Sequence, residues 1–179
     1  MDNEDGPLLS EKNEDGPPLF ETKETAASRK RAVKILGNRY MSKQNIERRL
    51  ITRGDTEETA HDTVEWLEDI GAVNDAEYAA MIVRHYLGMG YGLARIRDEL
   101  YKRGIPRELW DEAIGELEGL DDAAYEFINK KLGGSNDKDE LRRATGALQR
   151  RGFSYEQART AVNRYLESLD ENSDGFEDY

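Results

Sequence analysis

The sequence predicts an all-α protein made of three tandem three-helix units, helix-turn-helix-like and strung into an elongated array, and three observations carry that reading. Arg-Gly recurs as Arg53-Gly54, Arg103-Gly104 and Arg151-Gly152, at spacings of 50 and 48 residues. Each pair closes a stretch with the spacing of one helix face, because Leu50, Leu100 and Leu148 stand four residues before the glycine and Ile46, Ile96 and Ala144 stand eight before it. The chain after each glycine matches too, with Ala60, Val64 and Leu67, then Trp110, Ile114 and Leu117, then Ala158, Val162 and Tyr165 at offsets six, ten and thirteen. A period near fifty residues marks stacked units, each too small to hide its apolar faces alone.

Taken in order, residues 1–27 hold eight acids against two bases and the breakers Gly6-Pro7 and Gly16-Pro17-Pro18, and are expected to form a disordered acidic tail. Within it Asn-Glu-Asp-Gly-Pro-Leu-Leu at 3–9 returns as Asn-Glu-Asp-Gly-Pro-Pro-Leu at 13–19, which is read as drift rather than as a duplicated binding motif. The first unit is placed at 28–74. Its first helix runs through Val33, Leu36 and Tyr40 without a clear start; its second spans Lys43 to Leu50 and stops at Gly54, a left-handed terminator; its third opens at Thr56, whose hydroxyl can take a first-turn amide. The second unit, 75–120, begins at Asn74-Asp75, continues through Tyr78, Ile82 and Tyr86, crosses Gly88-Met-Gly-Tyr-Gly92, and restarts after Gly104 at Pro106, which has no amide to satisfy. The third, 121–168, begins at Asp121-Asp122, runs through Tyr125, Ile128 and Leu132, crosses Gly133-Gly134, and reopens at Ser154. Residues 169–179 are expected to form a second disordered acidic tail.

Composition narrows the function classes. The 179 residues contain no cysteine, which excludes a disulfide scaffold, a thiolate metal site and a cysteine nucleophile. No apolar run approaches the ~20 residues of a membrane span, and residues 1–27 lack the basic start and apolar stretch of a secretory signal, so the cytoplasm is the expected compartment and no membrane partner is expected. The formal charge of −12 comes wholly from residues 1–27 and the last thirteen residues, from Glu167, since residues 28–166 hold 24 bases and 24 acids. Inside that neutral segment the charge comes in blocks: nine bases and one acid from Arg29 to Arg53, nine acids and no base from Asp55 to Glu77, and the alternation then continues. Such ordering either pairs neighbouring helices or leaves a basic surface on a neutral body.

Catalytic and metal constellations are not found. His61 and His85 have no second histidine or cysteine at ligand spacing, so no metal is expected. The glycines at 88–92 follow no strand and lead to no Gly-Lys-Ser/Thr ending, and are read as a helix connection. Arg53-Gly54-Asp55 resembles an adhesion tripeptide but sits on a helix stop, and Asp121 with Asp122 lies where a helix start needs acceptors. Neither an enzyme nor a cofactor is expected.

What survives is a set of bases on and beside the second helices: Arg48, Arg49 and Arg53; Arg95, Arg97, Lys102 and Arg103; Arg142, Arg143, Arg150 and Arg151. Cations in such a stripe suit phosphates or an acidic protein surface. Tyr91, set between glycines, is expected to be exposed and used in contact, whereas Tyr40, Trp66, Tyr86, Trp110 and Tyr155 are expected in the core.

Three segments, Asp75-Ala-Glu-Tyr-Ala79, Gly90-Tyr-Gly-Leu-Ala-Arg-Ile-Arg-Asp-Glu-Leu-Tyr-Lys-Arg-Gly-Ile105 and Leu148-Gln-Arg-Arg-Gly-Phe-Ser-Tyr-Glu156, resemble the RecX family of recombinase regulators, over about 32–168 with the tails outside. The resemblance implies tandem three-helix units that bind the RecA recombinase and its filament on single-stranded DNA. It further implies restraint of filament growth, strand exchange, ATP hydrolysis and co-protease activity in recombination, DNA repair and the SOS response. A monomer with weak or no independent DNA binding is expected. One departure concerns the first unit, where the family often shows a serine followed three residues later by an acid; here Ser42 is followed by Asn45, so half of that capping box is missing and the helix start is expected to fray. The acidic tails are also outside the family pattern and are read as aids to solubility. Two other readings stay open: a stand-alone DNA-binding module, since each glycine turn between helices is like a helix-turn-helix, and a helical scaffold for an unrelated protein.

Overall fold

The structure is a computed structural model that describes residues 22–115 and 119–174. Among these residues the chain is helical throughout: α1 Lys23–Leu36, α2 Lys43–Thr52 and α3 Glu57–Asp69; α4 Asp75–Gly88, α5 Leu93–Lys102 and α6 Trp110–Gly115; α7 Leu120–Leu132, α8 Lys138–Arg150 and α9 Tyr155–Asp174. No helix of the described residues is long and apolar enough to cross a membrane.

The start signals act as capping chemistry predicts. Thr56 accepts from the Thr59 amide at 3.1 Å, Ser154 from Gln157 at 3.1 Å, and Asn74 from Ala76 and Glu77 at 3.0 and 3.1 Å. The glycines after the second helices are left-handed, Gly54 at φ 99°, Gly104 at φ 67° and Gly152 at φ 93°. Two boundaries differ from the expectation. Residues 23–27, assigned to the disordered tail, form the first turns of α1, because Thr22 caps the Thr25 amide at 3.1 Å and Glu24 sits where the helix dipole favours an acid. Helix α9 continues past residue 168 to Asp174, since Leu166 and Leu169 pack on the same core as Leu120. The remainder of both expected tails, 1–21 and 175–179, lies outside the described residues. In the third helix of the second unit Pro106 leads into a 3-10 turn at Arg107–Leu109, and α6 is described over Trp110–Gly115. Leu117 lies outside the described residues.

Three separate cores form, one per helix trio. Ile46 and Leu50 of α2 meet Ala32, Ile35, Ala60, Val64 and Leu67; Ile96 and Leu100 of α5 meet Ala79, Ile82, Val83 and Ala113; Ala144 and Leu148 of α8 meet Ala124, Ile128, Ala158 and Tyr165. Each second helix thus buries the positions four and eight before its glycine, and truncating one of those leucines to alanine costs about 2 to 5 kcal/mol. Asp55 of the Arg-Gly-Asp sequence also has a structural part. Its carboxylate takes hydrogen bonds from Ser28 at 2.9 Å and from Arg31, tying the turn after α2 to α1.

The cores are joined by two contacts of one design, in which the start of a second helix sits on the Arg-Gly turn that ends the second helix of the following trio. At the start of α2, Ser42 Oγ donates to the Arg103 carbonyl at 2.5 Å and Asn45 Nδ2 to the same carbonyl at 2.6 Å. At the start of α5, the Gly92 amide donates to the Arg151 carbonyl at 2.9 Å and the Ala94 amide to the Gly152 carbonyl at 3.1 Å. These backbones touch: a Cβ on Gly152 would lie 2.5 Å from the Arg95 nitrogen, and one on Gly92 would lie 2.4 Å from Gly152. The second helices therefore follow one another end to start in the order α8, α5, α2. The expected fraying at Ser42 does not occur. Ser42 is fully buried in the joint, and Asp75 of α4 adds an acceptor at the same helix start, its Oδ1 taking the Lys43 amide at 3.0 Å, one residue beyond the amide a capping-box acid would take.

Candidate partner-binding surface

On this scaffold the apolar stripe of each second helix faces its own core, so residues off the stripe point outward or into a joint. Eight of the sequence-predicted cations are exposed: Arg48, Arg49 and Arg53; Arg97 and Lys102; Arg142, Arg143 and Arg150. Several hold light contacts at the surface. Arg48 donates to Asn45 Oδ1 at 2.6 Å, Lys102 pairs with Asp98 at 2.6 Å, Arg142 with Asp139 at 3.2 Å, and Arg143 donates to the Asp139 carbonyl at 3.2 Å. Exposed pairs of this kind are worth roughly 0 to 1 kcal/mol and yield readily to a competing anion.

The other four predicted residues, Arg95, Arg103, Arg151 and Tyr91, are half-buried and spent within the molecule. Arg95 and Arg103 flank Glu99, which is buried; Arg95 reaches Oε1 at 2.8 Å, Arg103 pairs with Oε2, and Tyr86 donates to Oε2 at 2.9 Å. Burial pushes the Glu99 carboxyl up, but hydrogen bonds from Arg103 and Tyr86 and the charges of Arg103 and Arg95 outweigh it, so the group lies below the usual glutamate range. Arg151 crosses the joint between the second and third trios, donating to the Met89 and Gly90 carbonyls at 3.0 and 3.2 Å. Its guanidinium lies 5.0 Å from the Tyr91 ring and 4.6 Å from that of Phe127. Tyr91, expected to stand free, is thus covered by Arg151 on the joint and lies 5.7 Å from the Tyr86 ring.

The aromatics depart further from expectation. Tyr40 and Tyr155, assigned to the core, are 66% and 65% exposed, while Trp66, Tyr86 and Trp110 pack on the cores. The sequence reading missed Tyr101, which is 67% exposed beside Lys102 and one turn from Arg97. Its signal was its register, three residues before Gly104 and off the buried stripe. Also missed was a groove of about 630 Å³ between α4 and α7, lined by Leu87, Met89, Ala123 and Phe127 together with Glu126, Lys130, Lys131 and Arg151. The second helices therefore expose eight of the predicted cations and Tyr101, with the exposed acids Asp98, Asp139 and Glu140 among them. Among the described residues no cluster of His, Asp or Glu is arranged to hold a metal ion.

Residues 74–114 match the family model described as RecX, second three-helix domain, and residues 120–162 match RecX, third three-helix domain. The chain is 34% identical over 140 residues to the regulatory protein RecX of Xanthomonas citri, covering 76% of this chain and 86% of that one. It belongs to the RecX family. Regulatory protein RecX of Pseudomonas putida is 32% identical over 130 residues, covering 71% and 83% of the two chains. The fold agrees with the crystal structure of RecX from Lactobacillus salivarius, with a TM-score of 0.71 at 19% identity over 82% of this chain and 97% of that one. A second crystal structure of regulatory protein RecX gives a TM-score of 0.66 at 19% identity, covering 78% and 72% of the two chains. The RecX three-helix domains thus coincide with the trios whose joint buries Arg151 and Tyr91.

Proposed function

We propose that this RecX-family chain binds the RecA recombinase and its filament on single-stranded DNA and restrains filament extension. Strand exchange, ATP hydrolysis and co-protease activity fall with it, in recombination, DNA repair and the SOS response. The chain acts by binding alone, as a monomer in the cytoplasm. The observation that supports this reading most is that a regulatory-protein fold lays three second helices end to start with eight exposed cations, Arg48, Arg49, Arg53, Arg97, Lys102, Arg142, Arg143 and Arg150. Exposed cations repeated along that length suit an anionic partner that is itself a repeating assembly. The formal charge of −12 argues against tight binding to bare DNA, whose affinity rests on net neutralisation of phosphates.

The test is RecA's DNA-dependent ATP hydrolysis, followed while filaments assemble in the presence of substoichiometric amounts of the full chain. Slowing of the approach to steady state is expected. No slowing at any ratio contradicts the reading, and tight, steeply salt-dependent binding to bare single-stranded DNA would favour a stand-alone DNA-binding module instead.

A further inference from the structure

The groove between α4 and α7 combines apolar walls with cations that nothing in the chain neutralises. Leu87, Met89, Ala123 and Phe127 supply the apolar part, with about 630 Å³ of open space between them and the Met89 side of it 51% exposed. Lys130, Lys131 and Arg151 stand beside them against one acid, Glu126. Among the described residues none of these three cations pairs with a carboxylate. Arg151 is half-buried and bonded to the Met89 and Gly90 carbonyls, which orient its guanidinium without cancelling its charge. A cation partly withdrawn from water gains most from an anion brought to it.

The walls decide what that anion belongs to. A bare phosphate would leave the apolar residues wet. A nucleobase needs an aromatic face to stack on, and the ring in the groove, Phe127, already carries the Arg151 guanidinium 4.6 Å from its centre. An aliphatic or aromatic side chain flanked by carboxylates satisfies both parts, burying the apolar walls and pairing the cations. We propose that this groove is a second contact with the protein partner and receives an acidic segment with one large apolar anchor. The anchor lies between α4 and α7 and its neighbouring carboxylates meet Lys130, Lys131 and Arg151. The identity of the partner rests on the RecA reading above. Because Arg151 reaches across the joint, an occupant of the groove engages the second and third trios together.

A photo-crosslinker tests the contact directly. The full chain, with p-benzoylphenylalanine in place of the exposed Met89, is irradiated on RecA filaments assembled on single-stranded DNA. An adduct with RecA is expected, mapping after digestion to a segment of net negative charge that holds a large apolar residue. A probe chain that no longer slows ATP hydrolysis, its helicity unchanged, also supports the proposal, since the bulky group then blocks the groove. An adduct on DNA, on another copy of this chain or on a RecA segment without net negative charge would overturn it. So would the absence of any adduct from a probe chain that still slows hydrolysis. Charge gives a second readout. Lys130→Glu/Lys131→Glu is expected to raise the concentration needed for half-maximal slowing about tenfold, the scale of two exposed ion pairs made repulsive. Lys138→Glu/Arg159→Glu makes an equal change of charge at exposed positions outside the groove, and is expected to shift that concentration by no more than about twofold. Slowing by the parent with equal effects of the two variants removes the groove contact alone. No slowing by the parent removes the RecA reading and this contact with it.

Discussion

Glu99 and Asp75 are two buried carboxylates in opposite situations. Glu99 is held by Arg95, Arg103 and Tyr86, so its folded carboxyl titrates below its unfolded one. Its contribution to stability is present above the unfolded glutamate range and is lost as pH falls through the folded value. Replacing Glu99 by Gln leaves two guanidinium groups facing a neutral acceptor. The expected loss is roughly 2 to 3 kcal/mol, below that of a fully buried pair because both arginines reach solvent. Urea unfolding measures it, and a change in the environment of Tyr86, whose hydroxyl donates to Glu99, should accompany it. Asp75 is pushed up by burial, against the Lys43 amide that its Oδ1 accepts, and its Oδ2 has no hydrogen-bond partner among the described residues. Its folded value lies above its unfolded one, so the cost of its charge is present at neutral pH and is relieved as pH falls through the folded value. Relative to Asp75→Asn, the parent chain should therefore gain stability between pH 7 and the aspartate range; a difference constant with pH would contradict this. Arg95, Glu99 and Arg103 have the i, i+4 spacing of ion pairs, yet the sequence reading placed both arginines in the cationic stripe, because spacing alone does not show that Glu99 is buried. Arg151 over Tyr91 was not, because it depends on how one trio meets the next.

At the scale of elements, the helices follow from period and caps, and the joints do not. Leucine spacing before each Arg-Gly pair marks the ends of α2, α5 and α8, and the openings at Thr56, Asn74 and Ser154 mark the starts of α3, α4 and α9, within a residue or two, whereas α1 starts five residues early and stops at Leu36 short of Tyr40, and α9 runs six residues past its expected end. That Gly92 and Gly152 meet backbone to backbone has no signature in local pattern, since a glycine in a connection reads as flexibility whether or not anything approaches it. The three counterpart glycines separate the two causes. Gly54→Ala meets only the left-handed backbone cost, about 1 to 2 kcal/mol. Gly152→Ala adds a Cβ 2.5 Å from the Arg95 nitrogen, where backbone must move, and should lose a further ~1 to 3 kcal/mol. Thermal unfolding of the two variants checks the order, and equal losses would show that the joint is not load-sensitive at that point. Ser42→Ala removes both the α2 cap and the bond to the Arg103 carbonyl. It is expected to cost about 1 to 2 kcal/mol, the upper range for an N-cap.

The whole molecule is an array whose second helices run in one direction through three cores, which sorts its arginines into two classes. Arg151 reaches across a joint, and Arg95 and Arg103 hold Glu99 inside the second trio; Arg48, Arg49, Arg53, Arg97, Arg142, Arg143 and Arg150 are exposed, and these are the ones we propose meet the partner. Charge blocks in the sequence identified the candidates without separating the classes, because the distinction rests on burial and not on residue type. It also changes what a mutational test means, since reversing Arg95 or Arg103 would strike Glu99 and the fold together. The most direct measurement is RecA's DNA-dependent ATP hydrolysis during filament assembly with the Arg97→Glu/Lys102→Glu/Arg150→Glu variant, whose three positions are exposed, set against the parent chain. The account predicts that the parent slows hydrolysis and that the variant, with unchanged helicity by circular dichroism, does not. Slowing by the variant equal to that of the parent would contradict the claim that the outward cations carry the interaction.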